Sequence, residues 1–413
     1  MPSGPFNVSV VWRGVVVNHT AVSMPYTQDL TEVTLKCGVF YAKAAFVDAK
    51  DLPLPNAPIY VTFANGSRTV APLHSDADGE LELERAPGGL YSFEVHWGGV
   101  VVNSTQISIQ SNEDFKVRCQ VYYDSFEVLD DQDIPLKGAF VIVAQANGSL
   151  ALMTTNSSGF FSLNKVPVGR YNMKVLWQGV EVNSTHIDID SNGLYSIRCR
   201  VFHLSVTVVD SLGKPLAGAT VIVIPPNPLL LPQLVANVDK DGQLDLDQIA
   251  SGRYSFRVIW RETIVNSTSL TISSSSSLLI KSQVYDLNVD VVDRDGSPIV
   301  DAHVLVRRAP SNVSYGIQLT DDSGRAYFPK TPRGDYFATV DYATTYLYTP
   351  VHISTSQSLR VDSNDVINIK LDEYPPPFYS TYLFIWVLII AVFVAVIVFM
   401  FLKLRNYRRK VKT

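Results

Sequence analysis

The chain has almost no cysteine, no block of like charge ahead of its C-terminal tail, and almost no helical periodicity before residue 378. Three cysteines in 413 residues exclude a disulfide-stapled scaffold. A net charge of −5, spread without basic blocks, excludes the electrostatic footprint of a nucleic-acid binder. The seven histidines are scattered, with no helical His-x-x-x-His pair for zinc. No G-x-S-x-G elbow, P-loop or dinucleotide fingerprint occurs, so the chain reads as a non-enzyme with no cofactor and no metal. The first residues do not read as a secretory leader, so a leader is expected in sequence upstream of Met1.

What is present is repetition. Val10–Thr20 (VVWRGVVVNHT) returns at Val95–Thr105, Val175–Thr185 and Val258–Thr268. A fixed period of roughly 80 residues means one small domain copied in series, not one large core. Each copy holds about seven short alternating runs separated by Gly or Pro turns, the signature of a β-sandwich. The cysteines recur at one place, Cys37, Cys119 and Cys199, with Ser282 in the fourth copy. Flanking apolar residues share their parity while Lys36, Arg118, Arg198 and Lys281 take the other, which predicts buried thiols filling a small hole. The strand aromatics Tyr91, Tyr171, Tyr254 and Tyr336, together with the following Trp97, Trp177, Trp260 and Tyr342, are expected to anchor the sandwich cores.

The order of signals in Asp210–Val223, Asp239–Gly242 and Gly252–Val258 resembles the carboxypeptidase regulatory-like domain. That resemblance implies a transthyretin-like (prealbumin-like) sandwich related to the B-type repeats of adhesins, an accessory module with no catalytic residues. Some such relatives carry a Lys–Asn isopeptide crosslink. Here Lys43 stands alone at its first-strand position, with Ser125, Ser205 and Asn288 elsewhere, which argues against that device.

Leu383–Leu402 is an uncharged apolar stretch of twenty residues. As a helix it spans about 30 Å, the thickness of a bilayer core. Tyr379, Tyr382 and Trp386 flank its start, and Lys403, Arg405, Arg408, Arg409, Lys410 and Lys412 follow it. The positive-inside rule places the tail in the cytoplasm and the repeats outside a plasma membrane.

The expected fold class is all-β: tandem seven-stranded transthyretin-like or Ig-like β-sandwiches in a rod, plus one C-terminal transmembrane helix. The expected boundaries are a truncated half-sandwich at 1–36 and sandwiches at 37–118, 119–198, 199–281 and 282–373. A Pro-rich spacer at 374–379, a transmembrane helix at 380–403 and a basic tail at 404–413 follow. Leu194–Val209 reads as one extended run of about 50 Å that leaves one copy and enters the next. That continuity suggests a stiff stalk on the order of 100–150 Å long. Residues 1–36 match only the last three strands of a copy. The economical explanation is that further sequence precedes Met1; the rival is an edge that accepts a strand from another molecule.

Nine N-x-S/T sequons occur, at Asn7, Asn18, Asn65, Asn103, Asn147, Asn156, Asn183, Asn266 and Asn312, and in an exported chain they make covalent glycans an expectation. Their plainer reading is polar, outward-facing residues. The pairs Asp76/Asp78, Asp239/Asp241 and Asp321/Asp322 supply too few oxygens for calcium and suit tight turns instead. Tyr342, Tyr346 and Tyr348 form a candidate ligand surface, against the alternative that they pack a core. The leading function is a glycosylated, single-pass surface stalk or adhesin-like protein with a structural or display role, with sequons and basic tail suggesting an archaeal envelope. The alternatives are a module that binds a cell-surface glycan, peptide or envelope protein, and the stalk of an enzyme whose catalytic domain lies upstream.

Overall fold

The computed structural model describes residues 4–24, 32–229, 231–311 and 313–410. Two compact units emerge: residues 1–203 with 247–251 and 272–275, and the remainder.

Within the first unit, the copy beginning at Val121 shows how sequence becomes sandwich. Val121–Leu129 buries alternate side chains and lies at the centre of a three-stranded sheet. It pairs antiparallel with Phe160–Pro167 and parallel with Gly193–Arg198. The second sheet runs Leu150–Thr154, Phe140–Ala144, Gly169–Trp177 and Val180–Ile189, all antiparallel. The two inner faces meet around Phe126, Val128, Val141, Tyr171, Met173 and Val175, all fully buried. Phe126 stacks between Phe161 and Tyr195 at 4.8 and 5.3 Å. The same three-plus-four arrangement forms in the preceding copy and in the two that follow, so the expected seven-stranded sandwich is present four times.

The chief aromatic anchor is a tyrosine. Tyr91, Tyr171 and Tyr336 are buried, and each hydroxyl donates to a proline carbonyl four residues earlier, at Pro87, Pro167 and Pro332. The bond satisfies the one polar atom that burial would otherwise orphan. Trp97, Trp177 and Trp260 are half-buried, and Trp97 and Trp177 pack on the rim of their own cores.

Turns follow the sequence signals. Asp76, Asn156, Asp239 and Asp321 each spend Oδ1 on two backbone N–H groups, as in Phe160 N to Asn156 at 3.0 Å. Gly159 closes one such turn at φ 76°, where a Cβ would sit 2.9 Å from the Val128 carbonyl oxygen. Cys119 and Cys199 are buried, and burial pushes both thiols up to about 12; Cys37 is half-buried. Lys43 pairs with Glu80 at 2.9 Å.

Four expectations change. Residues 1–36 contain two described strands, Gly4–Trp12 and Val15–Met24, rather than three. The extended run Leu194–Val209 is broken at Cys199 and Arg200, between Gly193–Arg198 and Val201–Val209, just as Cys119 and Gln120 part Glu113–Arg118 from Val121–Leu129. The Cys119 amide makes the last rung of its ladder, to the Val47 carbonyl, while the Gln120 amide bonds the Val102 carbonyl. Finally, the C-terminal helix runs from Tyr382 to Lys410, taking in most of the basic tail. Tyr374 belongs to the fourth sandwich, not to a free spacer, since its ring packs against Tyr342 and Tyr346.

Candidate functional site

The most elaborated feature of the molecule is the joint between successive copies, and it is built from the residues that the period repeats. Trp97 ends the strand Gly89–Trp97, and its indole Nε1 donates to the carbonyl of Lys165 in the next copy at 2.7 Å. Trp12 donates likewise to Arg85, Trp177 to Gln248 and Trp260 to Lys330. All four acceptors have positive φ, between 48° and 55°. In that conformation the carbonyl turns out of the strand ladder and toward the neighbouring copy.

The same acceptor residue reaches back. Lys165 Nζ donates to the Pro53 carbonyl at 3.0 Å, Gln248 Nε2 to Pro135 at 3.2 Å, and Lys330 Nζ to Pro215 at 2.9 Å. Each proline lies in the first turn of the copy before. Tryptophan and bulge residue thus clasp each other from opposite sides.

A third contact uses the aspartate that opens that first turn. Asp48 and Asp130 are fully buried and hold two turn amides through Oδ1. Their Oδ2 atoms face the next copy. Tyr123 Oη donates to Asp48 at 2.6 Å. At the following joint His203 Nε2 lies 3.0 Å from Asp130, while its Nδ1 lies 3.1 Å from Asp247. Burial opposes a charge on His203, but the hydrogen bonds to Asp130 and Asp247 outweigh it and hold its pKa above the usual imidazole value. Burial likewise opposes the charge on Asp130, yet the bonds from Ile134, His203 and Gln132 keep its carboxyl below the ordinary range. Burial first, then the bond to Asp48, pushes Tyr123 up to about 12.

The sequons divide along the same lines. Asn18, Asn103, Asn183 and Asn266 each donate Nδ2 to the last carbonyl of a strand or the chain before the step between copies, at Lys36, Arg118, Arg198 and Lys281. The Oδ1 atoms of Asn18, Asn103 and Asn183 are buried without a partner. Asn65 and Asn147 donate Nδ2 to Arg13 and Gly98 in the tryptophan hairpin of the copy before. Only Asn7 and Asn156 are exposed and outside these joints; Asn312 lies outside the described residues.

The candidate tyrosine surface does not form one platform. Tyr342 and Tyr346 stand edge-on to Tyr374 at 5.2 and 5.9 Å, and burial pushes the Tyr374 phenol up to about 12. Tyr348 alone is open, at 74% exposure.

The joint was missed in the sequence because its partners lie about 70 residues apart. The recurring tryptophan was the one signal that could have found it. Asp130, Asp131 and His203 come close enough to suggest a metal, but their atoms are spent: His203 takes both ring nitrogens to carboxylates, and Asp131 accepts from Ser275.

No protein-family description matches the chain, and no curated protein does. Among solved structures, the Bacillus anthracis TIE protein aligns at TM-score 0.22 and 15% identity, over 80% of this chain and 68% of that one. BcpA, the major pilin subunit of Bacillus cereus, aligns at 0.23 and 10%, over 81% and 99%. The pilus adhesin SpaC from Lactobacillus rhamnosus GG, in its open conformation, aligns at 0.29 and 9%, over 77% and 54%. All three likenesses are distant, with no identity above 15% and no TM-score above 0.29.

Proposed function

We propose that this chain is a membrane-anchored stalk that displays its sandwiches outside the cell, with the basic end of its helix in the cytoplasm. The observation that carries the reading is the repeated clasp, which bonds successive copies through a tryptophan and a bulge residue. The C-terminal helix supports anchoring, being long and apolar enough to cross a membrane. Its apolar side chains, Leu388, Phe393 and Phe399 among them, are exposed all round. Protease added to sealed right-side-out vesicles should digest the sandwiches and leave an epitope on the tail intact. Loss of the epitope with intact sandwiches would reverse the orientation and end the reading.

Glycan attachment belongs at Asn7 and Asn156, whose side chains are accessible; the other six described sequons would have to give up a bond at a joint. Glycopeptide mapping tests this, with occupancy of Asn103 or Asn183 as the contrary result. A ligand-binding role keeps only Tyr348 of the three candidate tyrosines as an open contact, and the last hairpin offers that residue a different partner.

A further inference from the structure

Five hairpins in this chain occupy the same place in their copies, and their tips differ in chemistry. They read Arg13-Gly14, Gly98-Gly99, Gln178-Gly179, Arg261-Glu262 and, in the last copy, Leu347-Tyr348. The first four are polar or glycine. The fifth is apolar and aromatic, and residues 342–351 around it carry no Asp, Glu, Lys or Arg.

The fifth hairpin is also longer. Its strands, Gly334–Tyr346 and Thr349–Val361, have 13 residues each, against nine and ten in Gly169–Trp177 and Val180–Ile189. Three or four extra residues per strand carry the tip roughly 10 Å further. What it reaches is the start of the C-terminal helix. Tyr382 N donates to Thr349 Oγ1 at 2.6 Å, and Leu383 N makes a longer bond to the Leu347 carbonyl at 3.4 Å.

These two amides are among the first N–H groups of the helix, which have no partner inside it. Leaving them bare beside hydrocarbon would be costly. The hairpin therefore caps the helix, and wherever the first helical turn lies, the tip lies too. We propose that the Leu347–Tyr348 tip is a membrane-contact element seated in the headgroup layer of the bilayer that the helix crosses. Tyr348 enters that layer beside Tyr382 and Trp386, all three exposed in the protein itself. A phenol suits the site, since its ring meets the acyl boundary and its hydroxyl meets headgroups and water. The inference rests on the anchoring reading above.

The full chain carrying Cys37→Ser is reconstituted into phosphatidylcholine–phosphatidylglycerol vesicles; the buried Cys119 and Cys199 stay unlabelled. A polarity-sensitive fluorophore is attached in turn at Tyr348→Cys, at Val394→Cys in mid-helix, and at Lys137→Cys on an exposed turn of the second sandwich. Position 348 should shift to the blue on reconstitution and lose emission to headgroup-labelled lipid quenchers but not to deep acyl ones. Position 394 should respond to the deep quenchers, and 137 to neither. Should 348 behave like 137 while 394 is quenched from the deep layer, the tip is overturned and the anchor survives. Should 394 also escape lipid quenching, the span is wrong and the tip falls with it.

Discussion

The joint between the first and second sandwiches and the joint between the second and third share nearly every part. Both have a tryptophan bonded to a positive-φ carbonyl, a side chain returned to a proline carbonyl, and a buried aspartate facing forward. They differ in what meets the aspartate: the neutral phenol of Tyr123 in one, and the imidazole of His203, shared with Asp247, in the other. The lesson is that the backbone of a joint can be copied while its response to pH is set by one side chain.

The largest effect is expected at the aspartates themselves. Asp130→Ala removes the acceptor for two turn amides and for His203, and should lower the local opening free energy by about 3 kcal/mol. Hydrogen exchange at the Ile134 amide reads this directly. Asp48→Ala should speed the Leu52 amide by a smaller factor, because the partner it abandons is uncharged. Equal losses at the two joints would dissolve the distinction.

A second kind of buried carboxylate sits in the second sandwich, bonded within that sandwich to the Gly193 amide. Asp124 is buried with Oδ2 unpartnered, at a position occupied by Leu204 and Leu287 in later copies. Burial raises its carboxyl to about 6. Because the folded value is raised, the cost is absent below the unfolded pKa of about 4 and fully developed above 6. Asp124→Leu should therefore stabilise the sandwich by about 2 kcal/mol at pH 7, with the gain fading toward pH 4. Thermal melts at the two pH values check it.

The pH contrast comes next. His203 has a raised folded pKa, so its contribution is complete below about pH 6.5 and is lost as pH rises through the folded value. Asp130, held low, contributes above about pH 4 and loses that contribution only as pH falls through its folded value. Between pH 6 and 9 the His203 joint should weaken by about 1 kcal/mol while the Tyr123 joint holds. Tyr123 has its own loss only above about pH 10. Exchange rates at Gln132 and Lys50, corrected for intrinsic pH dependence, separate the two, and His203→Tyr should remove the difference. The smallest effect is expected from Trp97→Phe, which deletes one indole bond and should cost under about 1 kcal/mol in the melt. Trp177→Phe should match it, since the two indoles do the same work.

The sandwich itself was readable in the chain because alternation and turn chemistry are local. Phe126 and Val128 point inward by parity, and Asn156-Ser-Ser-Gly159 closes a hairpin with its own side chain. The joints were not readable for the same reason. Parity says that a residue is buried but not which copies it touches, so it cannot show that Trp97, packed on its own core, also bonds Lys165 of the next copy. A sequon says that Asn103 stands before a serine-type residue, and nothing in that pattern reveals that its amide holds the Arg118 carbonyl. The interruption at Cys119 and Gln120 was hidden because a two-residue step keeps an extended, alternating sequence.

Each clasp draws one half from the hairpin of a copy and the other from the bulge of its successor, so each of the first three sandwiches carries both a plug and a socket. A stretch of gene encoding one sandwich can then be duplicated or lost without redesigning any neighbour. Total length becomes a quantity that selection can adjust in whole steps, like links added to a chain. The last link differs: Tyr342 stands where the others carry tryptophan, and its hairpin holds the C-terminal helix instead.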